Sequence, residues 1–300
     1  MTRVICVGHA ALDRTYRIDT FPRHPTKVRA LEHVEAGGGM AANAAAAIAR
    51  LGGKVELWSR IGDDDAGTKI RTGLKAARVD VRYVQAFDDA RSSTSAVIVD
   101  RKGERLIVGI RDAAMPSSTV WLPLERVKGA AAVLSDVRWL EAARTVLARA
   151  RAEGVPTVLD ADLGAREALS ELLALADYAI FSAPALKEFA PGRPRAAQLA
   201  RVRALGPRHA GVTLGAEGYE WNEGQETGRC SAFRVKVADT TGAGDAFHGA
   251  FTWALTSRLD TRRCVEIACA AAALKCTRLG ARAGLPTKSE LDTFLANIRR

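Results

Sequence analysis

Val237-Ala-Asp-Thr-Thr-Gly-Ala-Gly-Asp-Ala-Phe247 is the stretch on which the reading of this chain turns. A strand-like run, Phe233–Val237, leads into a glycine-rich turn, and the turn opens a helix with apolar positions at Phe247, Ala250, Phe251 and Ala254. Gly242, Ala243 and Gly244 therefore fall at a helix N-terminus, where backbone N–H groups lack partners and the helix dipole favours negative charge. Residues this small let an anion come close to the backbone. Asp245, in the first helical turn, is open to two readings. It can cap the helix, or it can take a proton from a hydroxyl beside the anion-binding amides, an arrangement suited to phosphoryl transfer.

Outward from this loop, apolar runs of strand length alternate with helical patterns. Strands are predicted at Val4–Gly8, Val55–Ile61, Ala131–Val137, Thr157–Asp160, Tyr178–Phe181 and Gly211–Leu214. Helices are predicted at Ala41–Leu51, Trp139–Glu153, Glu167–Leu175, Ala196–Leu205, Asp245–Leu255, Thr261–Arg278 and Lys288–Ile298. Such alternation implies an α/β fold, a mainly parallel sheet covered by helices on both faces. Two β-rich regions break the rhythm: Thr15–Ile18 with Val28–Val34, and Thr94–Asp100 with Arg105–Ile110 around the turn Asp100-Arg-Lys-Gly103. They predict a small antiparallel sheet projecting from one domain that spans residues 1–300.

Bulk properties narrow the function classes. The chain has 300 residues, 48% of them hydrophobic, enough for a full core. No signal peptide or apolar run of membrane-spanning length is evident, so a cytoplasmic protein is expected. The five cysteines include no C-x-x-C pair, which suggests neither a disulfide framework nor a zinc site. The formal charge is +10, and Arg193–Arg208 holds five arginines and no acid. With no reader motif and only 6% aromatic residues, nucleic acid is not the expected partner. Anionic small substrates suit the charge equally well.

Asp239-Thr-Thr-Gly-Ala-Gly-Asp245 resembles the C-terminal signature of the phosphofructokinase-B, or ribokinase-like, carbohydrate kinases. Gly37-Gly-Gly-Met-Ala-Ala-Asn43, Gly62-Asp-Asp-Asp-Ala-Gly67 and Thr213-Leu-Gly-Ala-Glu-Gly218 repeat the resemblance in family order across nearly the whole chain. The resemblance implies a three-layer sandwich with a β-sheet lid made from about residues 14–36 and 92–111. It implies that Asp245 is the catalytic base and that Gly242, Ala243 and Gly244 form the anion hole. Asp13 would hold sugar hydroxyls, since a carboxylate accepts from two adjacent hydroxyls at once. Gly38, Gly39 and Asn43 would shape the sugar pocket, and Thr213, Gly215 and Gly218 would lie by the nucleotide. ATP and Mg2+ follow as cofactors. A monovalent cation such as K+ is a further candidate at Asp239, Thr241 and Gly280.

The chain departs from the pattern at Ser182-Ala-Pro-Ala185, where many members carry Asn-x-x-Glu. No protein ligand for Mg2+ is assigned, because the ion readily keeps waters and nucleotide phosphates as ligands. Within the family, Ala272-Ala-Leu-Lys-Cys-Thr-Arg278 with Arg282-Ala-Gly284 is most similar to the sulfofructose kinases. That likeness points to the 1-hydroxyl of 6-deoxy-6-sulfofructose, with Lys27 and Arg138 as sulfonate candidates. Gly109 stands where those enzymes offer an amide, and Arg111 is a possible substitute. Neutral ribose or fructose is the alternative acceptor, and a non-catalytic sugar-binding regulator is the alternative class. A nicotinamide enzyme is disfavoured, because Gly37-x-Gly39-x-x-Ala42 does not directly follow the first strand. No P-loop motif occurs. Exposed lid edges predict a homodimer.

Overall fold

The computed structural model describes residues 3–102, 104–164 and 166–298. Strand β1 (Val4–Val7) is buried along its whole length, as a central parallel strand requires. The chain then leaves the main sheet as β2 (Ala11–Arg17) and β3 (Glu32–Gly38), and returns through α1 (Met40–Arg50), β4 (Val55–Gly62), α2 (Asp65–Ala76) and β5 (Val84–Phe87). A hairpin of β6 (Ser93–Val99) and β7 (Arg105–Ile110) leaves it again. Next come β8 (Ala132–Asp136), α3 (Leu140–Ala152), β9 (Thr157–Ala161), α4 (Arg166–Leu175), β10 (Tyr178–Ser182), α5 (Ala183–Phe189), α6 (Arg195–Arg203) and β11 (His209–Thr213). The hairpin β12 (Tyr219–Glu223) and β13 (Glu226–Cys230) precedes α7 (Ala243–Leu255), α8 (Thr261–Cys276) and α9 (Lys288–Ile298).

The main sheet has nine strands in the order β13-β12-β11-β10-β9-β8-β1-β4-β5. It is parallel from β5 to β11 and antiparallel only through β12 and β13. Ile48, Ile70, Phe251, Val265 and Leu291 bring α1, α2, α7, α8 and α9 onto one face. Val146, Leu172, Leu186 and Leu199 bring α3 to α6 onto the other. This is the expected three-layer sandwich. Helices α1 and α7 approach closely because their contact is built of small residues. A Cβ at Gly249 would lie 2.5 Å from the Ala44 carbonyl oxygen, so only glycine fits there.

The lid is a separate four-stranded sheet in the order β3-β2-β6-β7. Its outer pairs are antiparallel, as expected, but the central pair β2–β6 is parallel, from Ala11↔Ser93 to Arg17↔Val99. The reason is topological: β2 and β6 both leave the main sheet from the same side. One expected strand is absent. Phe233–Val237 forms no ladder. Phe233 instead packs edge-on against Phe294, with ring centroids 5.6 Å apart.

Candidate active site

Parallel strands put all their C-terminal ends on one edge, and ligands of open α/β sheets bind at that edge. Here it gathers the segments after β1, β8, β9, β10 and β11. Above it lies the start of α7. Gly242 is the N-cap residue, with φ 74°, and a Cβ there would sit 2.8 Å from Ala281 Cβ, so glycine meets both a backbone and a packing demand. Ala243 donates its amide to the Thr240 carbonyl at 3.2 Å, and the amides of Gly244 and Asp245 belong to the first turn, which has no intrahelical acceptors. No contact within the chain demands glycine at Gly244, because a Cβ there would meet nothing within 4 Å.

The Asp245 carboxylate accepts a hydrogen bond of 2.7 Å from Asn43 Nδ2. Burial, reinforced by the Asp160 carboxylate, pushes the Asp245 carboxyl up to about 7, against the pull of Asn43 and His248. A carboxylate with this value can exchange a proton near neutral pH, as the expected role of Asp245 requires. Asn43 is buried in α1, and its oxygen accepts from Arg282 Nε at 2.8 Å. That bond fixes the amide orientation and obliges Nδ2 to face Asp245.

The other residues expected to face a sugar surround the same point. Arg282 Nη2 donates to the Gly38 carbonyl at 2.9 Å, and its Nη1 is buried without a hydrogen-bond partner. Burial lowers the Arg282 guanidinium to about 10, while Asp13 and Asp245 act to raise it; it stays charged and lies between the two acids. Asp13 on β2 accepts 2.6 Å from Ser95 Oγ on β6. A Cβ at Gly38 would fall 2.1 Å from Asp13 Oδ2. Gly39 has φ 91°, and a Cβ there would lie 2.4 Å from the His9 carbonyl oxygen. Asp13, Gly38, Gly39, Asn43 and Asp245 are thus brought together.

The proposed sulfonate residues are placed differently. Arg138 donates Nη2 to Asp162 at 2.9 Å and Nη1 to the Leu163 carbonyl at 2.7 Å. Lys27 is exposed in the segment between β2 and β3. His9 stands between these charges: burial lowers its pKa first, Asp136 and Asp13 oppose, and Arg111 and Arg138 act with the burial. The His9 and Arg138 amides share the Asp136 carboxylate, at 2.7 Å and 2.8 Å, and His9 Nε2 is buried without a hydrogen-bond partner.

On the nucleotide side, Thr213 ends β11 beside Ser182 of β10, and its hydroxyl donates to the Phe181 carbonyl at 3.3 Å. Gly215 begins a short 3-10 turn, and Gly218 has φ 100°. These three lie on a different strand end from the sugar-side residues. Ser182 Oγ caps α5 and donates to Asp162 at 2.9 Å. Among the described residues, no group of three or more His, Cys, Asp or Glu could hold a metal ion. Ser182–Ala185 itself offers no amide or acid side chain to a magnesium ion.

Family comparison agrees with this geometry. The description "pfkB family carbohydrate kinase" matches residues 1–288. The chain belongs to the pfkB family of carbohydrate kinases. It is 31% identical over 306 residues to an ATP-dependent ribose-1-phosphate kinase of Halopiger xanaduensis, covering 99% of each chain. It is 28% identical over 299 residues to a ribokinase of Bacillus subtilis, covering 99% of this chain and 100% of that one. The structure of Arabidopsis thaliana ribokinase complexed with ribose and ATP matches with a TM-score of 0.87 at 25% identity, covering 98% of each chain.

Within this pfkB-family site, sequence reasoning missed several residues. Arg282 was quoted only for its resemblance, because nothing local links it to Asn43. Asp136 ends β8 and accepts the amides of His9 at 2.7 Å, Ala41 at 3.0 Å and Arg138 at 2.8 Å. It thereby caps α1 from another strand, a role no nearby residue announces. His248 shares its face of α7 with Asp245, and its Nδ1 lies 2.8 Å from the Gly244 carbonyl oxygen. Its Nε2 is 3.3 Å from Asp160. Burial pushes Asp160 up and His248 down, the directions that favour an uncharged pair. The apolar neighbours of His248 in sequence gave the only signal.

Proposed function

We propose that this chain transfers the γ-phosphoryl of ATP to a primary hydroxyl of a ketose or related sugar, with the 1-hydroxyl of 6-deoxy-6-sulfofructose as the leading acceptor. The observation that carries the reaction is Asn43 holding Asp245, with its carboxyl near 7, at the start of α7. Asp245 takes the hydroxyl proton as the sugar oxygen attacks, and the first-turn amides of α7 stabilise charge on the phosphoryl in flight. Asp13 and Asn43 orient the sugar. ATP lies toward Thr213, Gly215 and Gly218. Mg2+, carried on the nucleotide phosphates with water, offsets their charge. A non-catalytic regulator would have no need of a base tuned in this way.

The sulfosugar reading is supported by Arg138, whose amide shares the Asp136 carboxylate with the His9 amide, and by Lys27, exposed between β2 and β3. A neutral acceptor is the second reading, favoured by the commitment of two Arg138 donors to Asp162 and Leu163. ATP consumption on sulfofructose, fructose, fructose phosphates, ribose and ribose 1-phosphate decides. A charge-assisted contact of about 1.5–3 kcal/mol predicts roughly ten- to a hundredfold higher kcat/KM for sulfofructose than for fructose. Arg138→Ala should erase most of that preference. Equal rates on both ketoses would overturn the sulfosugar reading, and no turnover on any sugar would overturn the kinase reading.

A further inference from the structure

The candidate monovalent cation site at Asp239, Thr241 and Gly280 does not fit a free ion. The buried face of α8 runs through Cys264, Ile267, Ala268 and Ala271 and ends with Lys275, whose side chain has 0% exposure. Lysine is rarely buried so fully without a built-in partner. Its Nζ donates to the Asp239 carbonyl oxygen at 2.8 Å and lies 3.6 Å from Asp239 Oδ2. The same Asp239 carboxylate accepts the Thr241 amide and the Gly280 amide, each at 2.9 Å. Gly284 closes the far side: a Cβ there would meet the Gly280 carbonyl oxygen at 2.9 Å and Lys275 Cε at 3.1 Å. The lysine stem thus fills the space between the Asp239 turn and the 280–284 loop. A monovalent ion seated on these oxygens would displace Nζ or be repelled by it.

We propose that Lys275 is a tethered cation that takes the place of a bound monovalent ion at the Asp239–Gly280 junction, so that the kinase works without one. Lys275 is a positioning residue. It acts through Asp239, whose carboxyl would be raised by burial but is held below its usual value by the amide and hydroxyl of Thr241, Lys275 and the Gly280 amide. That turn runs directly into Gly242 and the amides of α7. The coordination offered by carbonyl and carboxylate oxygens suits an ammonium as well as K+, but the lysine carries its charge at no cost in ion concentration. The inference rests on the kinase reading only for its turnover arm.

The test compares the whole protein in tetramethylammonium chloride with the same ionic strength of KCl, NH4Cl and NaCl. Wild-type melting temperature and ATP turnover should be indifferent to the ion, changing less than about twofold in rate. A clear KCl-dependent rise in wild-type melting temperature, or a rate increase of about fivefold or more, would overturn the proposal. Lys275→Met keeps the stem and removes the charge. It should lose turnover in tetramethylammonium, regain much of it in KCl or NH4Cl, and melt higher in those two salts. A folded Lys275→Met protein indifferent to all four salts would also overturn it. Should that variant not fold, the wild-type comparison decides alone. The melting arm stands even if no sugar is turned over.

Discussion

Asn43 and Asp245, separated by 202 positions in sequence, meet through a 2.7 Å hydrogen bond. The contact exists because Ala44 and Gly249 let α1 and α7 approach closely, and because Arg282 holds the Asn43 amide in one orientation. The base is therefore set by three parts of the chain at once. Several consequences can be measured.

Asp245→Asn should lower turnover at least about a hundredfold, the usual scale for loss of a general base. Nucleotide binding, followed by titration calorimetry, should be largely kept. Near-normal turnover would remove Asp245 from the role of base.

The same substitution has a pH signature. The Asp245 carboxyl rises from an ordinary 3.8 to about 7 on folding. Its stabilising proton is fully present below the unfolded value and is lost as pH climbs through the folded one. Asp245→Asn has no proton to lose, so its melting temperature should gain on wild type between about pH 4 and pH 8. A variant melting temperature that fails to rise relative to wild type over that range would contradict the buried, proton-retaining carboxylate.

For turnover, kcat/KM of wild type should climb with pH along a limb centred near 7, the value of the free carboxyl. Asn43→Ala removes the hydrogen bond that favours the ionised form, so the limb should move to higher pH. Part of the rate lost at pH 7 should then return in alkaline buffer. An unmoved limb would mean that another group titrates.

Gly249→Ala would place a methyl group 2.5 Å from the Ala44 carbonyl oxygen. Overpacking of this kind costs about 1–3 kcal/mol, readable as a lower urea midpoint. Because α1 must move away, turnover should fall as well, although Gly249 touches no substrate. Wild-type activity in a destabilised variant would show that the Asn43–Asp245 contact survives the shift.

On β7 the lid carries Leu106, 49% exposed, and Ile107, Val108 and Ile110, each 60% or more exposed. An apolar edge strand of this kind invites a second copy, and we propose a homodimer through the lid. Light scattering should give twice the chain mass, and Ile107→Lys with Val108→Lys should halve it. A monomeric wild type would discard the proposal.

Much of this architecture was legible because parallel strands are continuous apolar runs: Val4–Val7, Ala132–Asp136 and Tyr178–Ser182 lie where the sequence places them. The hairpin of Tyr219–Glu223 and Glu226–Cys230 was not, since it lies at the sheet edge and no residue of β13 is buried. Phe233–Val237 alternates like a strand but pairs with no neighbouring strand, and Phe233 packs on Phe294 instead. In the site, Asp245 was legible from its glycine loop and Asn43 from the motif opening α1. Arg282 and Asp136 were not, because each acts on a helix or strand remote in sequence. Lys275 read as one more residue of α8, and only its burial against Asp239 shows otherwise.

The hold of Arg282 on Asn43 spans 239 positions, and this sets an order of events during synthesis. Asp13, Gly38 and Asn43 leave the ribosome long before the base and the arginine that aims it. A growing chain therefore carries Asn43 long before either residue that it bonds to has been made. Asn43, Asp245 and Arg282 can be joined only once synthesis has passed position 282.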